Sequence, residues 1–400
     1  MKILHTADYV MPTMGYQDFM LAKWHAKHGH VSHIVTSDRF RPVDGYEKTW
    51  EPLLGRRMVG AGVEVIEDVT VHRQPCLLEW KRRVWLKNLR KTVEDIGPDV
   101  VFCHGTGSPM SFALPSICNR LGLPILMDTH MTFASRRRGL SGFAYYSLLR
   151  ALTRVLLNRP VERFLGIGQE CCDFIVERQA IPPEKVQLLD VGVDSELFRP
   201  DEVLGKAQRQ KLDVPSDAKI VMQTGKLARD KSPHWLSEAM VPIMREDPKV
   251  WLIFVGDAPT GYLEEITSPM IQGGVADRLK FVPLVPVHEL AIMFNMADVC
   301  VYPDQSSLSC LEAAACGKPV VVTDLPWGRT RQEAGITMCY RTSDIGDLTE
   351  KIRALLESSE YRSEVGERAR RAVMEAYSYD SVASRVEEMM EEAIAGYAQA

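Results

Sequence analysis

Asp304 and Glu312 stand eight positions apart in the run Pro303-Asp304-Gln305-Ser306-Ser307-Leu308-Ser309-Cys310-Leu311-Glu312-Ala313-Ala314-Ala315-Cys316-Gly317-Lys318-Pro319. A helix is expected from Leu308 to Cys316, with Gly317 as its stop and Lys318-Pro319 leading into a buried strand. One carboxylate then lies in the loop before the helix and the other inside it. A helix start offers free amides and a positive dipole end to anions. The pattern suits a cradle for phosphate and sugar hydroxyls, and by spacing alone it equally suits an ordinary capped helix. A second segment, Gln223-Thr224-Gly225-Lys226-Leu227-Ala228-Arg229-Asp230-Lys231-Ser232-Pro233, reads as a strand ending at a glycine, a loop with two lysines five apart, and a helix. Such lysines can neutralise a diphosphate, although surface lysines on a solvated loop look the same. In open α/β sheets ligands bind beyond the carboxyl ends of the strands, and Lys226, Lys231, Asp304 and the Leu308 helix start all project at that edge.

The elements that must position these groups alternate in type. Strand patterns at 2–6, 31–36, 63–65, 100–103 and 125–127 are interleaved with helical ones, and a second series runs through 219–224, 250–255, 279–282, 299–302 and 320–323. That alternation predicts two α/β units, each with a parallel sheet. They join at Val191-Gly192-Val193-Asp194-Ser195-Glu196-Leu197-Phe198-Arg199-Pro200, a stretch of turn formers ending in proline. The expected domains are 1–195 and 196–376, with a helix over 377–400 crossing back to the first.

Bulk properties bound the class. The 400 residues are 46% hydrophobic, enough for two or three domain cores. Nine cysteines without a C-x-x-C pair read as reduced core thiols. The start Met1-Lys2-Ile3-Leu4-His5 reads as a strand and not as a signal peptide, and no apolar run reaches membrane-spanning length, so a cytoplasmic location is expected. Net charge is −5. Residues 1–200 carry 26 Lys+Arg and 22 Asp+Glu (+4), leaving 22 and 31 (−9) for 201–400. Basic residues concentrate between Arg73 and Arg163, a candidate surface for an anionic partner.

Together these segments resemble the retaining glycosyltransferases of family four. The strand-Gly-basic-Leu-x-x-x-Lys pattern is present at 225–231. The family's Glu-x7-Glu pattern appears as Asp304 to Glu312, followed by a similar small-residue run to Val321. The signature Gly192-Val193-Asp194…Phe198…Pro200 and an acceptor-side glycine loop at Pro12-Thr13-Met14-Gly15 complete the match. The resemblance implies the GT-B fold, two facing Rossmann-like α/β domains with a deep cleft between them. It implies a nucleotide-diphosphate sugar as donor, with Lys226 and Lys231 on the diphosphate and Glu312 on the ribose. Asp304 would meet a sugar hydroxyl, and backbone near Ser307, Leu308 and Ser309 the phosphate and sugar. By the same carry-over Gly15, Gly225 and Leu284 belong to the donor site, and His130 faces the sugar from the first domain. His104 is a weaker candidate of the same kind. Two departures stand out: Asp304 replaces the family's Glu, and Gln305-Ser306-Ser307 replaces Gly-aromatic-Gly.

The absence of a D-x-D motif agrees with the metal independence that the resemblance implies. No metal or separate cofactor is therefore expected, and the two lysines would stabilise the departing phosphate. Retention of configuration is inherited from the family. The cluster His25, His28, His30 and His33 is read as structural, its imidazoles scattered by the turn at Gly29. Gly105-x-Gly107 is too short for a dinucleotide fingerprint. On the acceptor side, residues 133–163 interleave arginines with Phe143, Tyr145, Tyr146 and leucines. That pattern suits either an anionic membrane surface with a glycan or lipid-linked acceptor, or a core helix with a solvated basic side. No nucleic-acid module is present. The rival readings are an epimerase or hydrolase of the same fold and a non-catalytic nucleotide-sugar-binding protein.

Overall fold

Runs of continuous burial decide the architecture. In β1 (Lys2–Thr6), Ile3 and Leu4 face opposite apolar clusters, and the neighbouring strands repeat the division. A parallel strand covered by helices on both faces must be apolar on both, which is why these segments read as continuous hydrophobic runs. The computed structural model describes residues 1–400 other than 134–138, 260, 305–306 and 400.

The chain forms two compact units, Met1–Gly192 with Tyr379–Ala400, and Val193–Ser378. In the first unit β1 is followed by β2 (Val31–Ser37), β3 (Gly62–Ile66), β4 (Val69–Gln74), β5 (Cys76–Trp80), β6 (Arg83–Leu86), β7 (Val100–His104), β8 (Ile125–Thr129), β9 (Arg163–Gly166) and β10 (Val186–Leu188). Among the described residues they build a sheet of order β10-β9-β8-β7-β1-β2-β4-β3 and a separate β5-β6 hairpin. All neighbours in the large sheet are parallel except β3 and β4. The 63–65 segment, read as one more member of the parallel series, is thus the antiparallel edge of a hairpin turning at Glu67-Asp68. One face is covered by the helices Gln17–Lys27 and Tyr379–Gln399, which contribute Phe19, Leu21, Val382, Val386 and Met390 to its core. The other is covered by Val93, Leu114, Cys118 and Ile175.

In the second unit β11 (Lys219–Thr224), β12 (Val250–Val255), β13 (Leu279–Val282), β14 (Val299–Tyr302), β15 (Val320–Thr323) and β16 (Met338–Tyr340) form a wholly parallel sheet of order β13-β12-β11-β14-β15-β16. Ile220, Met222, Cys300, Tyr302, Val320 and Val322 pack on one face, and Val221, Val299, Val301 and Val321 on the other.

Each sheet reverses its direction of growth once, between β1 and β7 in the first unit and between β11 and β14 in the second. At such a switch point the loops leaving the two strands diverge to opposite faces and open a crevice for ligands.

Candidate active site

The second unit's crevice is flanked by the two segments on which the sequence analysis opened. β11 ends at Thr224, β14 at Tyr302, and one hydrogen-bonded chain joins them. The Thr224 hydroxyl lies 2.9 Å from the Tyr302 hydroxyl, which donates to the Ser309 carbonyl at 3.1 Å. Tyr302 is fully buried, so this chain fastens the first turn of the helix Leu308–Ala315 to the end of β11. The Tyr340 hydroxyl donates to the Pro303 carbonyl at 2.7 Å and fixes the backbone just before Asp304.

The lysine loop is equally constrained. Gly225 takes φ 105°, and its carbonyl passes so close to Gly256 that a Cβ on Gly256 would lie 2.0 Å from the oxygen. Only glycine at 256, itself at φ 137°, permits that approach. Leu227 is buried beyond it, leaving Lys226 exposed and Lys231 half-buried in the turn Arg229–Lys231. Asp304 is half-buried beside Ser232 and Lys231. Burial raises its carboxyl above the ordinary carboxylate range, and the Ser232 hydroxyl, donating to it, works the other way. Glu312, on the helix, is 7% exposed. Burial pushes it up to about 7 against a hydrogen bond from the Ser309 side chain. Ser307 caps the helix, its hydroxyl accepting from the Ser309 amide at 3.2 Å.

Tyr302, Ser309, Lys231, Asp304 and Glu312 therefore share one sheet edge. Leu284, exposed on the loop after β13, joins them through Asp257, whose carboxylate accepts from the Leu284 amide at 3.5 Å and whose carbonyl accepts from the Leu227 amide at 3.0 Å. Gln305 and Ser306 lie outside the described residues. Sequence reasoning missed Asp257 and also Arg331, whose Nη1 donates to the Ser307 carbonyl at 3.3 Å. Arg331 sits in the helix Pro326–Glu333, which carries no local pattern marking it as part of a site.

The first unit's crevice has a different composition. Gly15, at φ 68°, closes the turn Pro12–Met14 and leads into the helix Gln17–Lys27. His130 is exposed directly after β8. His104, ending β7, holds its Nδ1 2.7 Å from the Asp128 carboxylate and its Nε2 3.1 Å from His5 Nδ1, and His5 Nε2 lies 3.0 Å from His25 Nδ1. With neutral rings the carboxylate end orders the protons: each ring donates from Nδ1, and His104 and His5 accept at Nε2. Burial opposes charge on His104, but Asp128 outweighs it and raises the imidazole's proton affinity. Burial holds His5 far below its usual range and His25 down to about 3.

The histidine-rich segment, expected to scatter, instead converges. His28 Nδ1 is 2.9 Å, His30 Nε2 3.6 Å and His25 Nε2 3.9 Å from Glu387 on the C-terminal helix, and only His33 turns away, to His72. The helix Tyr379–Gln399 brings the acid to them, which no local pattern could show.

Two carboxylates absent from the sequence reading complete this edge. Asp18 is half-buried at the start of its helix; burial raises its carboxyl, with His104 and His130 acting against that rise. Asp8, just beyond β1, has one carboxylate oxygen buried with no partner. Its other oxygen lies 3.8 Å from Arg83, and burial pushes the group up to about 6 despite that cation.

Comparisons with known proteins agree with this organisation. Residues 206–372 match the model for glycosyl transferases group 1 and residues 19–197 that for glycosyltransferase family 4. The D-inositol 3-phosphate glycosyltransferase of Segniliparus rotundus is 31% identical over 229 residues, 55% of this chain and 51% of that protein. One from Catenulispora acidiphila is 29% identical over 274 residues, 65% of this chain and 64% of that one. The chain thus spans about half to two thirds of the length of these relatives. Among solved structures, a glycosyltransferase from Rickettsia africae aligns over 98% of both chains with TM-score 0.72 at 15% identity. Anabaena HepE, in complex with UDP and glucose, aligns over 98% of this chain and 100% of that one with TM-score 0.67 at 16% identity. These likenesses show a shared GT-B fold.

Proposed function

We propose, for a chain that belongs to the family-four, group 1 glycosyltransferases, that it moves a hexose-type sugar from a nucleotide-diphosphate sugar to an acceptor hydroxyl with retention of anomeric configuration. The observation that carries this reading is the convergence of Lys231, Asp304, the Ser307–Ser309 helix start and Glu312 at the β11/β14 switch point, held by the buried Thr224–Tyr302–Ser309 chain. HepE, solved with UDP and glucose, shares the fold and supports a nucleotide-sugar donor.

Breaking the bond between the anomeric carbon and the diphosphate leaves positive character on the sugar and negative charge on the phosphate. Lys226, Lys231 and the amides at 307–309 are proposed to hold that phosphate, with Arg331 adding positive charge behind the loop. Cations fixed before the reaction stabilise the developing charge without reorganising. Glu312 takes the ribose hydroxyls and Asp304 a sugar hydroxyl, its shorter side chain setting that contact one methylene back from the family's usual glutamate. The proposed diphosphate clamp is built from side chains and amides, with no metal in its scheme. Gly225 and Leu284 complete the donor side within the second unit. The first unit's edge, with Gly15, His130, Asp8 and Asp18, is proposed to take the acceptor, a glycan or lipid-linked hydroxyl. A cyclitol phosphate belongs in any acceptor screen, given the names of the curated relatives. The proposed location is the cytoplasm, at the inner face of the membrane.

A thermal-shift series with UDP-, GDP- and ADP-sugars tests the donor half, because a ligand that binds only the native state raises the unfolding temperature. Stabilisation by one nucleotide series, abolished in Lys231→Ala, is expected; no shift with any of them overturns the reading. Product analysis with donor alone separates transfer from hydrolysis or epimerisation.

A further inference from the structure

The β5–β6 hairpin is not part of either large sheet, and its two faces differ sharply. Its register pairs Leu78 with Trp85, Glu79 with Val84 and Trp80 with Arg83. Directly opposed residues of antiparallel strands share a face, so Glu79 and Val84 point one way and Leu78, Trp80, Arg83 and Trp85 the other. The inner face is locked to the body of the unit. Val84 is fully buried, and the Glu79 carboxylate accepts from the Tyr9 hydroxyl at 2.7 Å, from Arg39 at 3.4 Å and from Arg57.

The outer face is apolar and open to solvent. Leu77 is 67% exposed, Leu78 55%, Trp80 60% and Trp85 41%. Two tryptophans and two leucines left together in water on a rigidly anchored ribbon mark an interaction surface. The tip is Lys81-Arg82, both at positive φ (48° and 62°), in a tight turn where Asn-Gly would fit with less strain. The Lys81 ammonium sits 4.7 Å from the Trp80 ring centre. Lys87, Arg90 and Lys91 follow, all exposed, and across 76–91 the lone acid is the inward-facing Glu79.

We infer that this hairpin seats the first unit on an anionic lipid surface, with Trp80, Trp85, Leu77 and Leu78 entering the headgroup boundary and Lys81, Arg82, Lys87 and Lys91 meeting lipid phosphates. Tryptophan beside basic side chains is the chemistry of the membrane interface, where the ring sits at headgroup depth and the cations meet a negative surface. A second copy of this chain fits worse, since a symmetric contact would bring two sets of these cations together with no acid between them.

Arg83, directly after the tip, gives the docking a purpose. Arg83 Nε donates to the Gly107 carbonyl at 3.0 Å, and Arg83 Nη1 lies 3.8 Å from Asp8. Both partners belong to loops leaving the β1/β7 switch point. A bilayer held by the outer face therefore lies next to the edge proposed for the acceptor. In this part the inference rests on the proposed function: the acceptor hydroxyl belongs to a lipid-linked molecule that reaches the crevice without leaving the membrane.

Flotation of the full chain with phosphatidylcholine vesicles, with and without phosphatidylglycerol, tests the docking. Co-flotation with the anionic vesicles only is expected, with quenching of tryptophan fluorescence by brominated lipid. Lys81→Glu with Arg82→Glu should lower partitioning by more than roughly tenfold, as should Leu78→Ser with Trp80→Ser. The charge pair lies at an exposed tip, so it keeps the test sound if the apolar pair misfolds. Absence of flotation, equal flotation with neutral vesicles, or concentration-dependent self-association in place of vesicle binding overturns the inference. Turnover on a soluble acceptor without vesicle binding overturns the docking alone. Vesicle binding with no donor binding overturns the enzymatic reading alone.

Discussion

The two units share a parallel-sheet plan and a single switch point each, yet they arm that point with opposite chemistry. In the second unit Lys231 and Arg331 stand beside a helix start, with Lys226 exposed on the loop that carries Lys231. In the first, Asp18 and Asp128 face His104 and His130, and Asp8 lies beyond β1 beside Arg83. Net charge does not follow the crevices: residues 1–200 are net basic and hold the crevice with three aspartates, while residues 201–400 are net acidic and hold the one whose cations stand beside Asp304 and Glu312. Surface charge and site charge are set independently, because a few side chains at converging loops outweigh a distant surrounding that solvent screens.

The supports differ as well. Behind the second crevice, neutral hydroxyls of Thr224 and Tyr302 fasten loop to strand. Behind the first, the same task falls to His104, His5 and His25, groups that titrate. A hydroxyl chain is indifferent to pH near neutrality, whereas an imidazole chain holds its order only while its rings stay neutral. The first unit should therefore be the acid-sensitive one.

The largest effect expected is on the second unit's cations. Lys231→Ala should lower turnover by roughly 10²-fold or more, the scale of losing one preorganised donor to developing charge. Near-normal kcat would remove that crevice from the chemistry.

Next comes the imidazole chain. His5→Phe strands His104 Nε2 and His25 Nδ1 and should cost about 1–3 kcal/mol in denaturant unfolding, with nucleotide binding unchanged. Because burial lowers the folded-state proton affinity of His5 and His25 below the ordinary 6.5, the unfolded chain binds more protons beneath that pH. The contribution of His5 and His25 to stability should be fully present above pH about 6.5 and fall as the solution is acidified, and the variant should lose less over that window. An identical acid profile in both proteins would dissolve the contrast between the supports.

Asp8→Asn should raise the acceptor KM by roughly tenfold, the scale of one charged hydrogen bond, and leave donor affinity intact. An unchanged KM would return Asp8 to a structural part.

The mildest effect concerns Glu312, whose carboxyl keeps its proton up to about pH 7 when folded, against an ordinary 4.5. Its contribution to stability is then largest below pH 4.5 and declines as pH rises to about 7. Accepting ribose hydroxyls favours the carboxylate, so nucleotide affinity should climb over the same interval, release protons in calorimetry and flatten above it. Glu312→Gln should flatten the whole curve; a native curve already flat would argue against ribose binding through this carboxylate.

Legibility in the sequence followed the range of the interactions. The strand runs, the glycine at 225 with the lysine loop behind it, and the helix stop at Gly317 were readable because periodicity and turn geometry depend on neighbours a few residues away. The hairpin at β5–β6 was passed over. Its two-residue turn is built from Lys81-Arg82, and the usual signal is glycine or asparagine. Arg331, Asp257, Asp8 and Asp18 were passed over because each reaches its crevice from an element with no motif of its own.

By itself, then, the sequence determined two α/β units, a join within 191–200, and the chemical types available at one crevice. Tertiary structure alone decided which strands became neighbours, and with them the switch points, the Thr224–Tyr302 link across 78 residues and the closure of Glu387 on His28 across 359. Local pattern fixes which face of an element is buried. It leaves open what that face is buried against, and that is where each crevice acquires its charges.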